Sequence, residues 1–248
     1  MRTPTASELL NVWERALDAP AVARGLWLLQ LTDQAQGEGA WLDLSLGERD
    51  ARLLRLHAKL FGHALQGVAT CPACQSTVEL ALDCDALQLA PAEPVAAAEH
   101  VLDVHVAGRD MAVRFRPVTC ADLLDLQSCR DVDEARGQLL ARCVIDVDGE
   151  GVVDVADFSS DVQAELAAAM AAADPQADIQ FDCACPECAH RWQPLFDIAT
   201  FLWQELHAWA LRLLRDVDTL ARAYHWSESD IVAMGPRRRQ AYLEQCAS

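Results

Sequence analysis

The sequence predicts an α+β protein that is mainly helical and contains one small β module. Three observations lead to this prediction. Apolar residues recur at helical spacing near both ends of the chain, apolar and polar residues alternate in its middle, and two Cys-Pro-x-Cys motifs begin at Cys71 and Cys185. Because the two motifs are so far apart, distant segments are expected to close the β module.

The composition favours a globular protein with an acidic surface. Of the 248 residues, 52% are apolar, and 20 basic residues stand against 38 acidic ones, which gives a formal net charge of -18. This charge repels nucleic acids and anionic membranes, so we expect neither among the partners. The opening "MRTPTASELL" has no secretory h-region, and no apolar run approaches the ~18 residues of a membrane span. The chain is therefore expected to be cytoplasmic when it is made.

Residues 1–70 are predicted to form an N-terminal helical region. Leu9, Leu10, Trp13 and Leu17 recur at helical spacing after Ser7, which is the predicted N-cap. The leucines of "LGERDARLLRLHAKLFGHAL" have the same spacing and predict a second helix.

Residues 71–118 are predicted to hold the first cysteine motif and β-strands. Val78, Leu80, Leu82 and Cys84 alternate with less apolar residues, as on a half-buried strand. In "VLDVHVAGRDMAVRFRPVT", the turn residues Ala107-Gly108-Arg109-Asp110 separate two alternating runs, which predicts a β-hairpin.

Residues 119–180 are predicted to be a mostly helical insertion. The stretches "ADLLDLQSCRDVDEARGQLLARC" and "DVQAELAAAMAAA" carry its helices, and the second is expected to stop before Asp174-Pro175.

Residues 181–199 contain the second cysteine motif, and residues 200–248 are predicted to form a long helix followed by two short ones. Alternating Ile179, Phe181 and Cys183 indicate a strand that leads into the motif. Ser227 is expected to cap the first short helix, and Pro236 to lie in the first turn of the second. The stripe of the long helix comprises Leu202, Leu206, Trp209, Leu213, Val217, Leu220 and Tyr224.

The two cysteine motifs form the main candidate site. Ten cysteines in a reducing compartment are not expected to form disulfides, and paired Cys-Pro-x-Cys turns are typical of zinc ribbons, in which four thiolates surround the ion. Cys183 and His190 are alternatives to a neighbouring ligand, and Gln75 and Ala189 stand where a glycine often follows such a turn. The predicted ligands of a structural zinc are Cys71, Cys74, Cys185 and Cys188.

This zinc-ribbon-like module is expected to be a structural tie. A four-thiolate shell leaves no coordination position open, whereas a hydrolytic zinc keeps one for water. Iron in a rubredoxin-like site is the alternative, because it accepts the same four ligands. The cysteines without paired spacing are expected to be packed thiols, namely Cys84, Cys120, Cys129, Cys143 and Cys246.

The acidic stretch "DVDGEGVVDVAD" has two interpretations. Its spacing matches a calcium-binding EF-hand loop, although the last ligand position is Asp157 instead of the usual glutamate. Its β-branched flanks favour a hairpin turn at Asp148-Gly149 instead. We favour the turn. The candidate calcium ligands are Asp146, Asp148, Glu150, Gly151, Asp154 and Asp157.

Nothing in the sequence forms a recognisable catalytic set. The seven histidines are scattered, and there is no HExxH, GxSxG, P-loop or GxGxxG motif. His207 and His225 are expected to be packed or solvated residues. From Thr200 onward the chain carries six basic and six acidic residues, so the net negative charge lies before it, and a different surface role is expected for this end.

Four segments of the chain together form a recognisable pattern. The first is "LGERDARLLRLHAKLFG" followed by "CPAC", and the second is "RFRPVTCADLLDL". The third is "ADPQADIQFDCACPECAHRWQPLFDIATFLWQEL", and the fourth is "LLRDVDTLARAYHWSESDIVAMGPRRRQAYLE". In this order they resemble the T-even phage baseplate protein family, above all the members encoded with phage-tail-like contractile injection systems. The resemblance extends over nearly the whole chain.

The resemblance implies a non-enzymatic baseplate component, or an assembly factor for the baseplate hub. Its expected partners are other baseplate proteins or tail-tube and spike proteins, and it either remains in the finished particle or leaves as a chaperone. The oligomeric state is left open. The four cysteine ligands carry over, and aromatic and arginine residues of the C-terminal signature are the predicted partner-binding surface. These residues are Tyr224, Trp226, Arg238, Arg239 and Tyr242.

A zinc-ribbon nucleic-acid-binding regulator is the alternative. Its two short C-terminal helices would form a helix-turn-helix. The net charge of -18 argues against this function, because a polyanion is repelled by most of the chain.

Overall fold

A computed structural model of the protein describes residues 2–32, 37–89, 99–106, 109–148, 155 and 158–246. The chain divides into two compact units. Unit 1 comprises Met1–Ala35 and Ala199–Ser248, and unit 2 comprises Gln36–Ile198. The boundaries of the five predicted segments stay predictions.

The described part of unit 1 is helical. Its helices are α1 (Ala6–Ala16), α2 (Ala21–Gln30), α9 (Ile198–Tyr224, with its first residue in unit 2), α10 (Glu228–Val232) and α11 (Pro236–Cys246). The N-cap of α1 is Thr5, not the predicted Ser7, because Thr5 and Glu8 form a reciprocal capping box. The predicted cap of α10 by Ser227 is confirmed, as is the start of α11 at Pro236.

The apolar stripe of α9 forms the core of unit 1, as predicted. Leu206 and Leu220 are fully buried, and Leu213 is almost so. The short helix α10 contributes Ile231 and Val232 to the same cluster, against which Leu10 of α1 also packs. A single long amphipathic helix therefore organises this unit, since its neighbours bury their apolar faces on it.

Unit 2 contains all the strands that the structure describes. Its helices are α3 (Glu38–Leu42), α4 (Leu46–Phe61), α5 (Cys84–Leu87), α6 (Cys120–Asp125), α7 (Val132–Cys143) and α8 (Ser160–Ala173). Its strands are β1 (Ala64–Thr70), β2 (Thr77–Asp83), β3 (His100–Val106), β4 (Arg109–Phe115), β5 (Val144–Val147), β6 (Cys183–Ala184) and β7 (Arg191–Trp192). An α+β fold, mainly helical with small antiparallel sheets, is confirmed.

A three-stranded antiparallel sheet in the order β3-β4-β5 forms the main core of unit 2. The predicted hairpin is present, because β3 and β4 pair from His100 opposite Phe115 to Val106 opposite Arg109. Arg109 and Asp110, predicted in the turn, are the first residues of β4, and Ala107 and Gly108 lie outside the described residues. Phe115 packs in one buried cluster with Leu140 of α7 and Leu166 of α8. The two helices therefore cover one face of the sheet, as expected for an α+β core.

Strands β1 and β2 form a separate two-stranded antiparallel ribbon. The prediction that residues 1–70 are helical was wrong for β1, and the reason lies in "ALQGVAT", of which only Leu65 is buried. Its small residues form a shallow face that gives little period-two signal. The predicted β2 is confirmed up to Asp83, whereas Cys84 begins α5.

A buried hydrogen bond holds the start of α4 in unit 2, because Gly47 donates its backbone N–H to the Asp174 carboxylate over 2.8 Å. Within α4, Arg49 pairs with its buried neighbour Asp50 at 2.7 Å. Burial raises the pKa of Asp50 to about 6, although Arg49 opposes this shift.

No helix within the described residues is long and apolar enough to cross a membrane.

Candidate metal site

Both cysteine motifs fold into the same backbone turn. In the first, the Cys71 N–H donates to the Ser76 carbonyl and the Gln75 N–H donates to the Cys71 carbonyl, both over 2.9 Å. In the second, the Cys185 N–H donates to the His190 carbonyl and the Ala189 N–H donates to the Cys185 carbonyl, again over 2.9 Å. Identical spacing in the sequence thus gives identical hydrogen bonding.

Each turn contains one residue in the left-handed region. Gln75 has a φ of 62° and Ala189 has a φ of 59°, and these are the two positions at which glycine was expected. The turns therefore keep the backbone that a glycine would favour, without the glycine. Gln75 offsets part of the cost, because its side-chain amide donates to the Pro72 carbonyl over 3.2 Å.

The four predicted sulfurs lie together in unit 2. The distance from Cys71 Sγ to Cys188 Sγ is 3.7 Å, and that from Cys74 Sγ to Cys185 Sγ is 3.6 Å. All four atoms lie within 4.8 Å of one another. Zinc–sulfur bonds of about 2.3 Å in a regular tetrahedron require sulfurs about 3.8 Å apart. The four cysteines could therefore hold a metal ion with little rearrangement.

Hydrogen bonds to the sulfurs favour thiolates at two of the four positions. The Ser76 hydroxyl lies 3.1 Å from Cys74 Sγ and 3.1 Å from Cys185 Sγ, and so contacts one cysteine from each turn. Ser76 is the main cause of the lowered pKa of Cys74, and also of that of Cys185, which falls to about 6 with help from the backbone N–H groups of Cys188 and Glu187.

The pKa of Cys188 shifts in the opposite direction from those of Cys74 and Cys185. The His190 backbone N–H lowers its pKa, but neighbouring Cys74 and Cys71 outweigh that bond and raise the pKa to about 12. Crowded thiols resist simultaneous ionisation, and a cation bound among them removes that resistance. The spacing of the sulfurs therefore suits a positively charged ion, which would also offset the mutual repulsion of the thiolates.

The site joins two ribbons. Cys71 follows β1 and lies before β2, whereas Cys185 follows β6 and lies before β7. Cys74 and Cys185, whose sulfurs lie 3.6 Å apart, are separated by 111 positions in the chain. Cys71 and Cys185 are buried, while Cys74 and Cys188 are exposed, so solvent reaches the cluster from one side.

The two alternative ligands lie outside this cluster. Cys183 is buried in β6 opposite Trp192, and burial raises the pKa of its thiol. The His190 ring stacks on Trp192, with ring centres 6.2 Å apart. Among the described residues, the four-sulfur group therefore contains only the cysteines of the two motifs.

The cysteines without paired spacing are reduced, and three of them are buried. Burial raises the pKa of Cys120 to about 11 and that of Cys143 to about 12, which opposes thiolate chemistry. Cys84 is buried beside His57, with 3.3 Å between its sulfur and His57 Nδ1. Cys129 and Cys246 are half-buried.

A second group of potential ligands has an ordinary structural explanation. His63, Asp83 and Asp85 are all exposed and lie at the base of the β1–β2 ribbon. Asp83 caps α5 by accepting the Asp85 N–H over 2.8 Å, and His63 Nδ1 lies 2.9 Å from an Asp85 carboxylate oxygen. Helix capping and an ion pair account for this arrangement.

The acidic stretch of the EF-hand-like match is described at only two of its six candidate ligands. Asp146 lies in β5 and pairs with Arg114, and Asp148 accepts the Ala112 N–H over 2.7 Å. Asp148 has a φ of 51°, which suits a turn. Glu150, Gly151, Asp154 and Asp157 lie outside the described residues, as does Gly149 of the predicted turn.

The predicted partner surface at the C-terminal end needs one correction. Arg239 is not available to a partner, because it is 8% exposed and pairs with Asp216 at 3.1 Å. Tyr224, Trp226 and Tyr242 are half-buried and pack on one another, with the Tyr224 and Trp226 rings 4.5 Å apart. Of the five predicted residues, Arg238 alone is exposed.

Fold and site together define a class of protein: a mainly helical α+β chain in which four cysteines from two distant turns could bind one metal ion. The chain belongs to the T4 bacteriophage base plate protein family, whose sequence model matches residues 27–203. The matched range includes both cysteine motifs and ends before the C-terminal signature. No curated protein and no solved structure matches the chain.

Proposed function

We propose that the protein acts as a non-enzymatic baseplate component, or as an assembly factor for the baseplate hub, in a contractile phage-tail-like injection system. The observation that carries this proposal is the family match over residues 27–203. Its partners would be other baseplate proteins, or tail-tube and spike proteins, bound in the cytoplasm before or during particle assembly.

The test is purification of the native particle and of the free cytoplasmic pool, followed by mass spectrometry of both. A stable component would be found in the particle in a fixed ratio to other baseplate proteins. An assembly factor would be found in the free pool, bound to a baseplate or hub protein. Absence from both kinds of complex would contradict the proposal.

The second part of the proposal is a structural zinc bound by Cys71, Cys74, Cys185 and Cys188 in a zinc-ribbon-like module. The sulfur separations of 3.6 and 3.7 Å support it, because they are close to those of a tetrahedral thiolate site. Four thiolates fill the shell, so the ion would tie the two ribbons together and would not act on a substrate.

Metal analysis of the purified protein tests this site. One equivalent of zinc per chain is expected. The same ligands accept iron, which would give visible charge-transfer absorption that bleaches on reduction. That result would identify the metal as iron instead of zinc, and it would contradict the proposal that the protein is non-enzymatic by indicating a redox site.

Nucleic-acid binding is the competing function. The net charge of -18 opposes it, and we expect no shift of duplex or single-stranded DNA in an electrophoretic mobility experiment at low salt. A shift that disappears as salt is added would favour the helix-turn-helix alternative.

A further inference from the structure

The two units differ sharply in charge. Unit 2 contains 28 acidic and 11 basic residues, for a net charge of -17, whereas unit 1 contains 10 acidic and 9 basic residues, for a net charge of -1. Six of the nine basic residues of unit 1 are arginines of α9 and α11. A local cationic surface can therefore exist on a protein that is acidic as a whole.

The salt bridge between Arg239 and Asp216 brings the arginines of α11 close to those of α9. It joins the first turn of α11 to α9 over 3.1 Å. Arg212 precedes Asp216 by one helical turn and lies on the same face of α9, and Arg215 is its immediate neighbour. Arg237 and Arg238 directly precede Arg239. Four further arginines therefore lie within about one turn of this bridge.

These four arginines are exposed and have no carboxylate partner among the described residues. Arg215 donates only to the Leu211 carbonyl of its own helix, over 3.2 Å. By contrast, Arg222 pairs with Asp218 on the same helix at 2.8 Å. Leu211, which is 39% exposed, adds an apolar side chain beside Arg212. We call Leu211, Arg212, Arg215, Arg237 and Arg238 the arginine surface.

Folding does not explain the start of α11. The positive end of the helix dipole disfavours cations in the first turn, and this turn has three arginines and no acidic residue. Arg239 is compensated by Asp216 and by the Met234 carbonyl. Arg237 and Arg238 are not compensated in this way. Positions that break a local rule without a structural gain are expected at functional sites, and the exposure of Arg237 and Arg238 leaves them free to bind a ligand.

From this arrangement we propose that the arginine surface binds a short acidic segment of a partner protein, with carboxylates held by the guanidinium groups. Arginine is suited to this ligand because its planar fork accepts a carboxylate through two hydrogen bonds. A nucleic acid offers equally suitable phosphates, but the net charge of -18 on the chain repels a long polyanion. A short segment avoids that repulsion, since it occupies the arginine surface alone.

This inference deepens the proposed function by naming the chemistry of the partner, and it rests on that function for the partner's setting. It also replaces the stacked aromatics and buried Arg239 of the predicted surface with exposed residues. A second copy of the chain is disfavoured as the occupant, because two chains of charge -18 repel each other.

A defined probe tests the inference on the full-length protein. The probe is a fluorescein-labelled peptide with a Glu-Glu pair on each side of one leucine, and binding is measured by fluorescence anisotropy at low salt. We expect the affinity to fall at least about tenfold in Arg237→Glu/Arg238→Glu and in Arg212→Glu/Arg215→Glu. Arg109→Glu/Arg136→Glu reverses two exposed arginines of unit 2 and should bind like the wild type.

Three results would overturn the inference. They are equal affinity for a peptide with Gln in place of every Glu, tighter binding of single-stranded DNA of the same length, and sedimentation of the wild type as a dimer that Arg237→Glu/Arg238→Glu dissociates. Circular dichroism melting must be unchanged in both variants. Failure of the peptide experiment leaves the particle proteomics unaffected, so the two proposals fail separately.

Discussion

Unit 1 buries one continuous apolar stripe, whereas unit 2 combines a sheet core with a thiol cluster and buried ion pairs. In unit 1, Leu213 and Leu220 of α9 pack in one cluster with Ile231 and Val232 of α10, without any buried acid in the stripe. In unit 2, Asp50, Asp122 and Asp174 are all buried and all bound by donors. Apolar packing thus dominates unit 1, where Arg239 and its partner Asp216 are the exception, whereas unit 2 also depends on several buried acids.

The size of the β elements explains this difference. Strands β6 and β7 have two residues each, and the β1–β2 ribbon buries only Leu65 fully. An isolated two-stranded ribbon is marginally stable in water, because it buries too little apolar surface. A tie between the two ribbons is therefore worth more in unit 2 than any equivalent would be in unit 1.

The largest effect is expected from breaking that tie. Cys71→Ser or Cys188→Ser should lose the metal and reduce stability by several kcal/mol, given about 4.7 kcal/mol for closing a 100-residue loop by a disulfide and more for zinc itself. Hydrogen exchange should increase in β1, β2, β6 and β7 and stay unchanged in α9. Cys246→Ser, in unit 1, is the control. A full metal equivalent in Cys188→Ser would refute the assignment.

A cavity in unit 1 should give the opposite pattern. Leu213→Ala removes a side chain that is 1% exposed, so we expect a loss of about 2–5 kcal/mol and faster exchange in α9 and α10. The metal content should stay at its wild-type value. Leu211→Ala changes a neighbouring leucine that is 39% exposed and should cost less than about 1 kcal/mol. Loss of metal from Leu213→Ala would mean that the units do not unfold separately.

Features of each unit that depend on local sequence could be predicted, whereas features that depend on contacts between distant residues could not. The stripe of α9 has one period and local spacing, so its buried leucines and Val217 could be predicted, although Trp209 and Tyr224 at the same spacing are only half-buried. The four cysteines could be predicted because each turn is local and carries its own motif. The burial of Arg239 could not, because Asp216 lies 23 positions earlier and only packing brings the two together. The strand β1 was missed for lack of large apolar residues.

The buried carboxylate of Asp122 in unit 2 should make the stability of that unit depend on pH. Asp122 accepts two hydrogen bonds from Arg116, over 2.6 and 2.9 Å, and one from the Thr119 N–H over 2.9 Å. Burial would raise the pKa of Asp122, but these bonds outweigh burial and hold it below its usual value. The stabilisation is therefore present above the unfolded pKa of about 4 and is lost as the pH falls below it.

Asp122→Asn should accordingly cost about 2–3 kcal/mol at pH 7, and the difference from the wild type should shrink in acid. Urea unfolding between neutral pH and pH 3 measures this. Asp125→Asn is the matched control, since Asp125 is 57% exposed and also pairs with an arginine. A difference that stays constant over the whole range would show that the charge of Asp122 is not what matters.

The smallest effect tests the backbone of the metal turns. Ala189 has a φ of 59°, and its methyl group cannot form a hydrogen bond that would stabilise this left-handed backbone. Ala189→Gly should therefore increase stability by about 1 kcal/mol. Gln75→Gly should gain less, because it also removes the hydrogen bond to the Pro72 carbonyl. His225→Gly, at a φ of 57° in unit 1, should also stabilise the chain but leave metal affinity unchanged.

Ala184→Gly supplies the control for these gains. Ala184 lies in β6 with an extended backbone, so glycine there should destabilise by roughly 0.5–1 kcal/mol. Thermal unfolding and competition with a chromogenic zinc chelator would be measured for all four variants. If the left-handed backbone at Ala189 weakens metal binding, Ala189→Gly should also slow metal release. The turn would then hold the sulfurs of Cys185 and Cys188 in place at a lower conformational cost. A loss of stability in Ala189→Gly would instead mean that the Ala189 methyl group makes a contact worth more than the strain it causes.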